Sequence, residues 1–267
     1  MDMPLRSVSQ INSFTRCPMA YKLSRIDKVW SRPAAWLPQG SAFHLVAEAY
    51  EVWRTYGMPL SLEEARSMFR EFYVQEIEYL TEVTPNFDYW SKSGPYHGMR
   101  DAERRMDVGL EQVDKFFAWQ DKYGQEIWID PDGTPAIELD FLVEFDGIMV
   151  RGFIDAVVIV DGELRVRDYK TGNTPGDVFQ LAVYAQALGL KYGIDPPRTG
   201  DYYMAGKKGK PPSIVVANDL HQWTAEMVAE EFRVVEAMIE AEQFAPLPEI
   251  SKCMFCDVSH ACEFKAT

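Results

Sequence analysis

Over residues 136–170 the apolar positions crowd together or alternate, and on both sides of that stretch they recur every three or four residues. The first pattern belongs to strands and the second to helices. Two Asp-Gly pairs, Asp146-Gly147 and Asp161-Gly162, interrupt the run AIELDFLVEFDGIMVRGFIDAVVIVDGELRVRDYKTG. Asp-Gly readily takes the positive φ angles of a two-residue hairpin turn. The spacing therefore predicts antiparallel strands at about 137–145, 148–160 and 163–170. A helix over 177–192 follows, then strands near 199–204 and 213–217, then a helix capped by Thr224 and running to about 243.

Upstream, the spacing predicts helices over 7–16 (capped by Ser7 or Ser9), from Pro18, over 40–56, 61–81 and 100–123. Phe43, Val46, Ala47 and Tyr50 share a face of the third. Between the last two, TPNFDYWSKSGPYHG reads as an aromatic loop packed on its own scaffold. Helices, a β-meander, a helix, two strands and a helix make an α/β chain with a mixed sheet flanked by helices. We expect one domain over 1–267: a mainly helical region to 135, a sheet core over 136–220, and a helix with a cysteine-bearing tail beyond.

Two-residue turns fix the register. Pairing Val160 with Glu163 sets Asp155 opposite Asp168, and pairing Phe145 with Ile148 sets Glu138 opposite Asp155. Three carboxylates then line up across three strands, neighbouring Cβ atoms roughly 4.5–5.5 Å apart. Asp155 sits inside the apolar FIDAVVIV, where adjacent carboxylates repel and lose hydration. Something positive must compensate, and a divalent ion that prefers oxygen ligands does so directly. Lys170 lies on the same face as Asp168, about 7 Å further along the strand. Two acids and a lysine around a metal are the parts for phosphodiester hydrolysis. A buried structural ion pair between Asp168 and Lys170 accounts for the D-x-K pattern equally well.

The chain has 267 residues, 47% of them hydrophobic, which supports a substantial core. MDMPLRSVSQINSF has no apolar signal core, and no apolar run approaches the roughly 18 residues of a membrane span, so we expect a soluble, cytoplasmic protein with no membrane partner. The net charge of −14 disfavours nucleic acid only on the sum; local patches decide. Basic clusters occur at Arg16, Lys22, Arg25, Lys28 and Arg32, at Arg104 and Arg105, and at Lys207, Lys208 and Lys210, each readable as solvated surface. No G-x-x-x-x-G-K-[ST] sequence is present, so a motor would have to come from another chain.

Four cysteines in a chain without a signal core do not suggest a disulfide framework. Cys253 and Cys256 have metal-binding spacing, Cys262 can add a third thiolate, and Cys17 is the candidate fourth. Such a set fits structural zinc or an iron–sulfur cluster, and either closes a loop of about 235 residues.

The motifs together resemble a known family. GFID, then DYKTG, then QLAVYAQAL is similar to the RecB-type branch of the PD-(D/E)XK nuclease superfamily. SVSQINSFTRCPMAYKL resembles that branch's N-terminal motif, GSAFH its helical motif with a metal-ligand histidine, and CMFCDVSHAC the cysteine triplet of members with a 4Fe–4S cluster. Those members include AddB-type nucleases, CRISPR-associated adaptation nucleases and single-strand exonucleases. The resemblance implies a restriction-endonuclease-like core acting on DNA, single-stranded or at ends, with Mg²⁺ or Mn²⁺. It implies His44, Asp155, Asp168 and the Tyr169 carbonyl as metal ligands, Lys170 as catalytic lysine, and Gln180 and Tyr184 as the Q-x-x-x-Y pair of the next helix. Cys17, Cys253, Cys256 and Cys262 would hold the cluster as a structural staple. Glu138 is open between a structural and a metal role. A helicase, recombinase or integrase partner is compatible with the resemblance, as is a DNA-end binding protein without turnover. Residues 57–135 match no motif.

Overall fold

The computed structural model describes residues 5–267; the first four residues of the N-terminal stretch lie outside it. The chain opens with β1 (Leu5–Arg6) and α1 (Val8–Arg16), the helix capped by Ser7, whose hydroxyl accepts from the Gln10 amide. Next, α2 (Pro18–Tyr21) has Pro18 at its first position, where no amide hydrogen is needed, and runs into a π-helical turn over Lys22–Ile26. Three longer helices follow: α3 (Trp36–Thr55), α4 (Leu62–Val83) and α5 (Gly98–Tyr123). Ser61 and Glu64 close a reciprocal capping box on α4. α3 begins a turn earlier than its apolar spacing predicts, carrying Pro38 within its first turn. The aromatic loop does pack on itself: Trp90 is buried, donates to the Thr84 carbonyl, and its ring lies 4.8 Å from that of Phe87. Arg104 and Arg105 are not solvated surface as the sequence suggests, because both guanidinium groups turn in toward buried Asp101.

The remainder builds the sheet: β2 (Glu126–Ile127), β3 (Ile137–Phe145), β4 (Ile148–Val160), β5 (Glu163–Lys170), α6 (Val178–Tyr192), β6 (Thr199–Met204), β7 (Ser213–Ala217), α7 (Ala225–Glu240) and α8 (Ile250–Met254). The fold is α/β, a mixed sheet between helical layers. β1–β4 and β5–β6 pair parallel and the other ladders are antiparallel. β1 and β2 have two residues each, too short for periodicity to reveal. Both hairpin turns carry positive φ at Asp146, Gly147, Asp161 and Gly162. One core, with Leu139, Phe141, Val150 and Val166, packs against α1, α6 and α7; the other, with Ala156, Tyr169 and Tyr203, packs against α3, α4 and α5. Among the described residues no helix is long and apolar enough to cross a membrane.

The hairpin registers run as counted, from Phe145↔Ile148 to Ile137↔Ala156 and from Val160↔Glu163 to Ala156↔Arg167. Glu138, Asp155 and Asp168 therefore fall in line. Two departures from a regular sheet occur there. Leu139 and its partner Ile154 lie in the first core, whereas Ile137 and its partner Ala156 lie in the second. Ordinary alternation would keep positions two apart on one face. Glu138 has φ 43°, a left-handed backbone rare for a non-glycine residue, and it breaks the alternation so that the sheet swaps faces without slipping register. The second departure is a fork. Val150 pairs with β3 on one side and β1 on the other, and Ala156 pairs with β3 on one side and β5 on the other. β1 and β5 thus share one edge of β4, and Arg151–Asp155 between them have no strand on that side.

Candidate active site

The residues singled out from sequence converge where the fork closes and the sheet swaps faces. β5 leaves β4 after Arg167, and the Tyr169 amide, instead of joining the ladder, donates to Asp155 Oδ2 at 2.7 Å. His44 arrives from the helical region because its neighbour Phe43 is fully buried among Phe116, Tyr169 and Tyr203, with a ring 6.3 Å from that of Tyr203 and nearly parallel to it. Gln112 on α5 ties the same helices to the strand ends, donating to the Thr171 and Gly206 carbonyls at 3.1 and 2.9 Å. His44 Nδ1 then sits 3.5 Å from Asp155 Oδ2 and 3.6 Å from Glu138 Oε1. Among the described residues, His44, Glu138 and Asp155 are the one trio of metal-ligand types whose donor atoms all lie within 4.8 Å of one another.

Asp168 and Lys170 form the neighbouring half. Lys170 Nζ lies 2.6 Å from Asp168 Oδ2, so the ion pair that the D-x-K pattern allows is made. Gln180 Nε2 donates to Asp168 Oδ1 at 2.7 Å and lies 2.8 Å from the Tyr184 hydroxyl, while Lys170 Nζ reaches Gln180 Oε1 at 3.4 Å. Asp177 caps α6 by accepting from the Gln180 amide, which fixes where this helix starts and so where Gln180 points.

The groups are electrostatically crowded. Burial pushes the Asp155 carboxyl up to about 7; the positive His44 opposes the rise, and Asp168 and Glu138 add to it. Burial also raises Asp168, against the pull of Lys170. Burial lowers His44, but Glu138 and Asp155 outweigh it and lift the imidazole to about 9. The protonated imidazole is thus the cation standing among the acids. A hard divalent ion suits this set of carboxylate oxygens and one imidazole.

Sequence reasoning left one member of the site open and missed another. Glu138 was open between two roles, and its inward aim comes from the left-handed backbone, which no motif announces. Tyr202 on β6 pairs in register with Asp168, its hydroxyl donates to the Asp177 carbonyl at 2.7 Å, and its ring lies under Lys170 Nζ at 5.5 Å. A parallel pairing across a helical crossover leaves no local signal. Tyr169 lends the site its backbone, since its ring is buried in the opposite core.

The profile of the PD-(D/E)XK nuclease superfamily matches residues 6–263. The chain belongs to that superfamily. PD-(D/E)XK nucleases use divalent metals, and the donor set just described fits one. The chain is 66% identical over 260 residues to the Gene 69 protein of Mycobacterium phage D29, covering 97% of each. It is 56% identical over 279 residues to the Gene 69 protein of Mycobacterium phage L5, covering 97% of this chain and 96% of that one. A solved candidate exonuclease from Eubacterium rectale aligns with TM-score 0.44 and 13% identity over 98% of this chain and 89% of its own. A likeness that distant adds nothing to the family match.

Proposed function

We propose that this PD-(D/E)XK protein is a metal-dependent deoxyribonuclease of the RecB-type branch, working as an exonuclease on single-stranded DNA or DNA ends. The observation that carries the proposal is the convergence of His44, Glu138 and Asp155, from three elements, beside a buried Asp168 paired with Lys170. His44, Asp155, Asp168 and the Tyr169 carbonyl are the proposed metal ligands, with Glu138 added by its position. When bound, the ion polarises the phosphodiester and acidifies water. Lys170, held over Tyr202 and against Asp168, supplies a positive charge where the phosphate gains negative charge. Gln180 fixes the Asp168 carboxylate, and Tyr184 fixes Gln180. The test is metal-dependent cleavage of end-labelled single- and double-stranded DNA by wild type, Asp168→Ala and Lys170→Ala. Cleavage only by wild type is expected. Equal cleavage by all three proteins, or none by wild type, would sink the assignment.

The four cysteines support a second element of the same reading, a 4Fe–4S cluster. All four line one cavity of about 90 Å³ between α1–α2 and the tail. The resemblance of CMFCDVSHAC to cluster-bearing members is what favours iron over zinc. The Leu247 amide hydrogen points at Cys17 Sγ, and that of Ala266 at Cys253 Sγ. Protein purified without oxygen should be brown and contain iron, and Cys256→Ser should bleach it; colourless protein carrying stoichiometric zinc would refute the cluster.

A further inference from the structure

The fork on β4 does more than admit the catalytic residues. It opens into a groove of about 1080 Å³ running from Lys170, Gln180 and Tyr184 past Arg151, Gly152 and Phe153 to Ser7, Ser9 and Arg16 on β1–α1. Its floor depends on Gly152: a Cβ there would come within 2.7 Å of the Phe141 ring, which fills the space instead and packs edge-on against Tyr184. Phe153 and Arg151 stand two residues apart on the same face of β4. In an extended β4–β5 register Phe153 would face Lys170, and β5 has already turned away.

Two features of the groove bear on what it can hold. The first is unspent positive charge. Acidic residues outnumber basic ones by 41 to 27, and most arginines in the sheet and helices are neutralised: Arg6 by Glu236, Arg54 by Glu51, Arg66 by Asp114, Arg167 by Asp201. Among the described residues Arg151 has neither an ion pair nor a hydrogen bond, and Arg16 bonds only a neutral carbonyl, that of Lys252. The groove's one carboxylate outside the catalytic set, Asp140, is met by Lys191 at 3.7 Å. The second is Phe153. A single exposed apolar side chain is ordinary on a protein surface. Here a 59% exposed aromatic ring lies in a groove bordered by serines and basic side chains, beside a guanidinium without an ion pair and two residues from Asp155. A flat apolar face between cationic groups is the combination that holds unpaired nucleotides, since every base has a face to stack and every linkage a charge. A duplex, with its bases already stacked on one another, offers Phe153 no such face.

Resting on the nuclease reading for where cleavage falls, we propose that this groove seats single-stranded DNA, with Phe153 as a base platform beside the scissile linkage and Arg151 and Arg16 pairing with phosphates. The groove would then make the enzyme select single strands.

Anisotropy of labelled oligothymidylate, with Ca²⁺ replacing Mg²⁺, tests the groove separately from catalysis. Phe153→Ala should weaken binding by about tenfold, and Phe153→Trp should restore it. Arg16→Gln with Arg151→Gln should lower the slope of log Kd against log salt by about 1.4, roughly 0.7 for each phosphate no longer neutralised. Leu142→Ala, equally exposed on the neighbouring strand but outside the groove, should bind as wild type does. Circular dichroism confirms that each variant is folded. Unchanged binding by folded Phe153→Ala, or tighter wild-type binding to a duplex of equal length, would overturn the proposal. If Phe153-dependent binding appears without any metal-dependent cleavage, the groove stands and the nuclease reading falls. Cleavage with binding indifferent to Phe153 removes the groove alone.

Discussion

β5 carries two ion pairs on adjacent residues, one on each face, and they could hardly differ more. Arg167 on one face is 2% exposed and grips Asp201, itself fully buried, with two bonds of 2.7 and 2.9 Å. Its remaining donors reach Gln125 Oε1 at 2.8 Å, and the guanidinium lies 5.2 Å from the centre of the Trp119 ring. Each of its three nitrogens donates a hydrogen bond, and both Asp201 carboxylate oxygens accept one. On the other face Lys170 meets Asp168 at 2.6 Å, and the pair stands beside two further acids and a histidine. Burial is similar for Asp168 and Arg167, so burial does not separate a structural pair from a functional one. Company does: Arg167 and Asp201 neutralise each other, whereas Asp168 shares its face with Asp155, Glu138 and His44.

The comparison breaks most readily on the closed side. Arg167→Ala strands Asp201 without a countercharge and should destabilise the fold by about 3–5 kcal/mol in urea titration; a loss below 1 kcal/mol would mean the pair is not the structural one. On the open side, Asp168→Asn should melt in EDTA at or above the wild-type midpoint, because it removes charge from a crowded site. It should also lose the added stability, about 2.7 kcal/mol, that Mn²⁺ at a hundredfold its Kd gives the wild type. Gln125→Ala takes one charge-assisted bond from Arg167 and should cost about 1.5–3 kcal/mol, with DNA cleavage unaltered. The smallest effect is with pH. Asp155 and His44 both bind protons more tightly folded than unfolded, so each stabilises most at low pH. The Asp155 contribution is lost as pH rises to about 7, and that of His44 as pH rises through about 9. The metal-free midpoint should therefore fall between pH 5 and 9, whereas Mn²⁺ affinity should rise over the same range as protons cease to compete. His44→Ala should flatten the alkaline part of the decline. Because His44 is a third exposed, solvent screens this contribution and keeps it small.

The strands around this contrast were legible because two Asp-Gly turns fixed the register over the whole meander, and the carboxylate row followed by counting. The expectation of chemistry at Asp155, Asp168 and Lys170 came from the same count. His44 came only by resemblance, since a histidine on an apolar helix face has no local tie to acids far along the chain. The aim of Glu138, the placing of Tyr202 and the Arg167–Asp201 pair were not legible, for one reason: each depends on a left-handed residue or a parallel pairing that leaves no periodic trace. The unpaired arginines of the groove were hidden too. Arg16 and Arg104 read alike in sequence, and only Asp101 turning inward takes Arg104 out of solution.

The wall of the groove formed by α1 is held from behind. Arg16 bonds the Lys252 carbonyl, the Arg32 amide bonds that of Asp257, and Arg6 meets Glu236. During synthesis the proposed metal ligands and Lys170 leave the ribosome some eighty residues before this clasp does, several seconds at ordinary elongation rates of about 5–20 residues per second. A nascent chain can thus own its cleaving groups before it owns the wall that positions a strand against them. For a nuclease, the order of translation thus makes cutting of a seated strand wait for residues 236–257, which hold the wall in place.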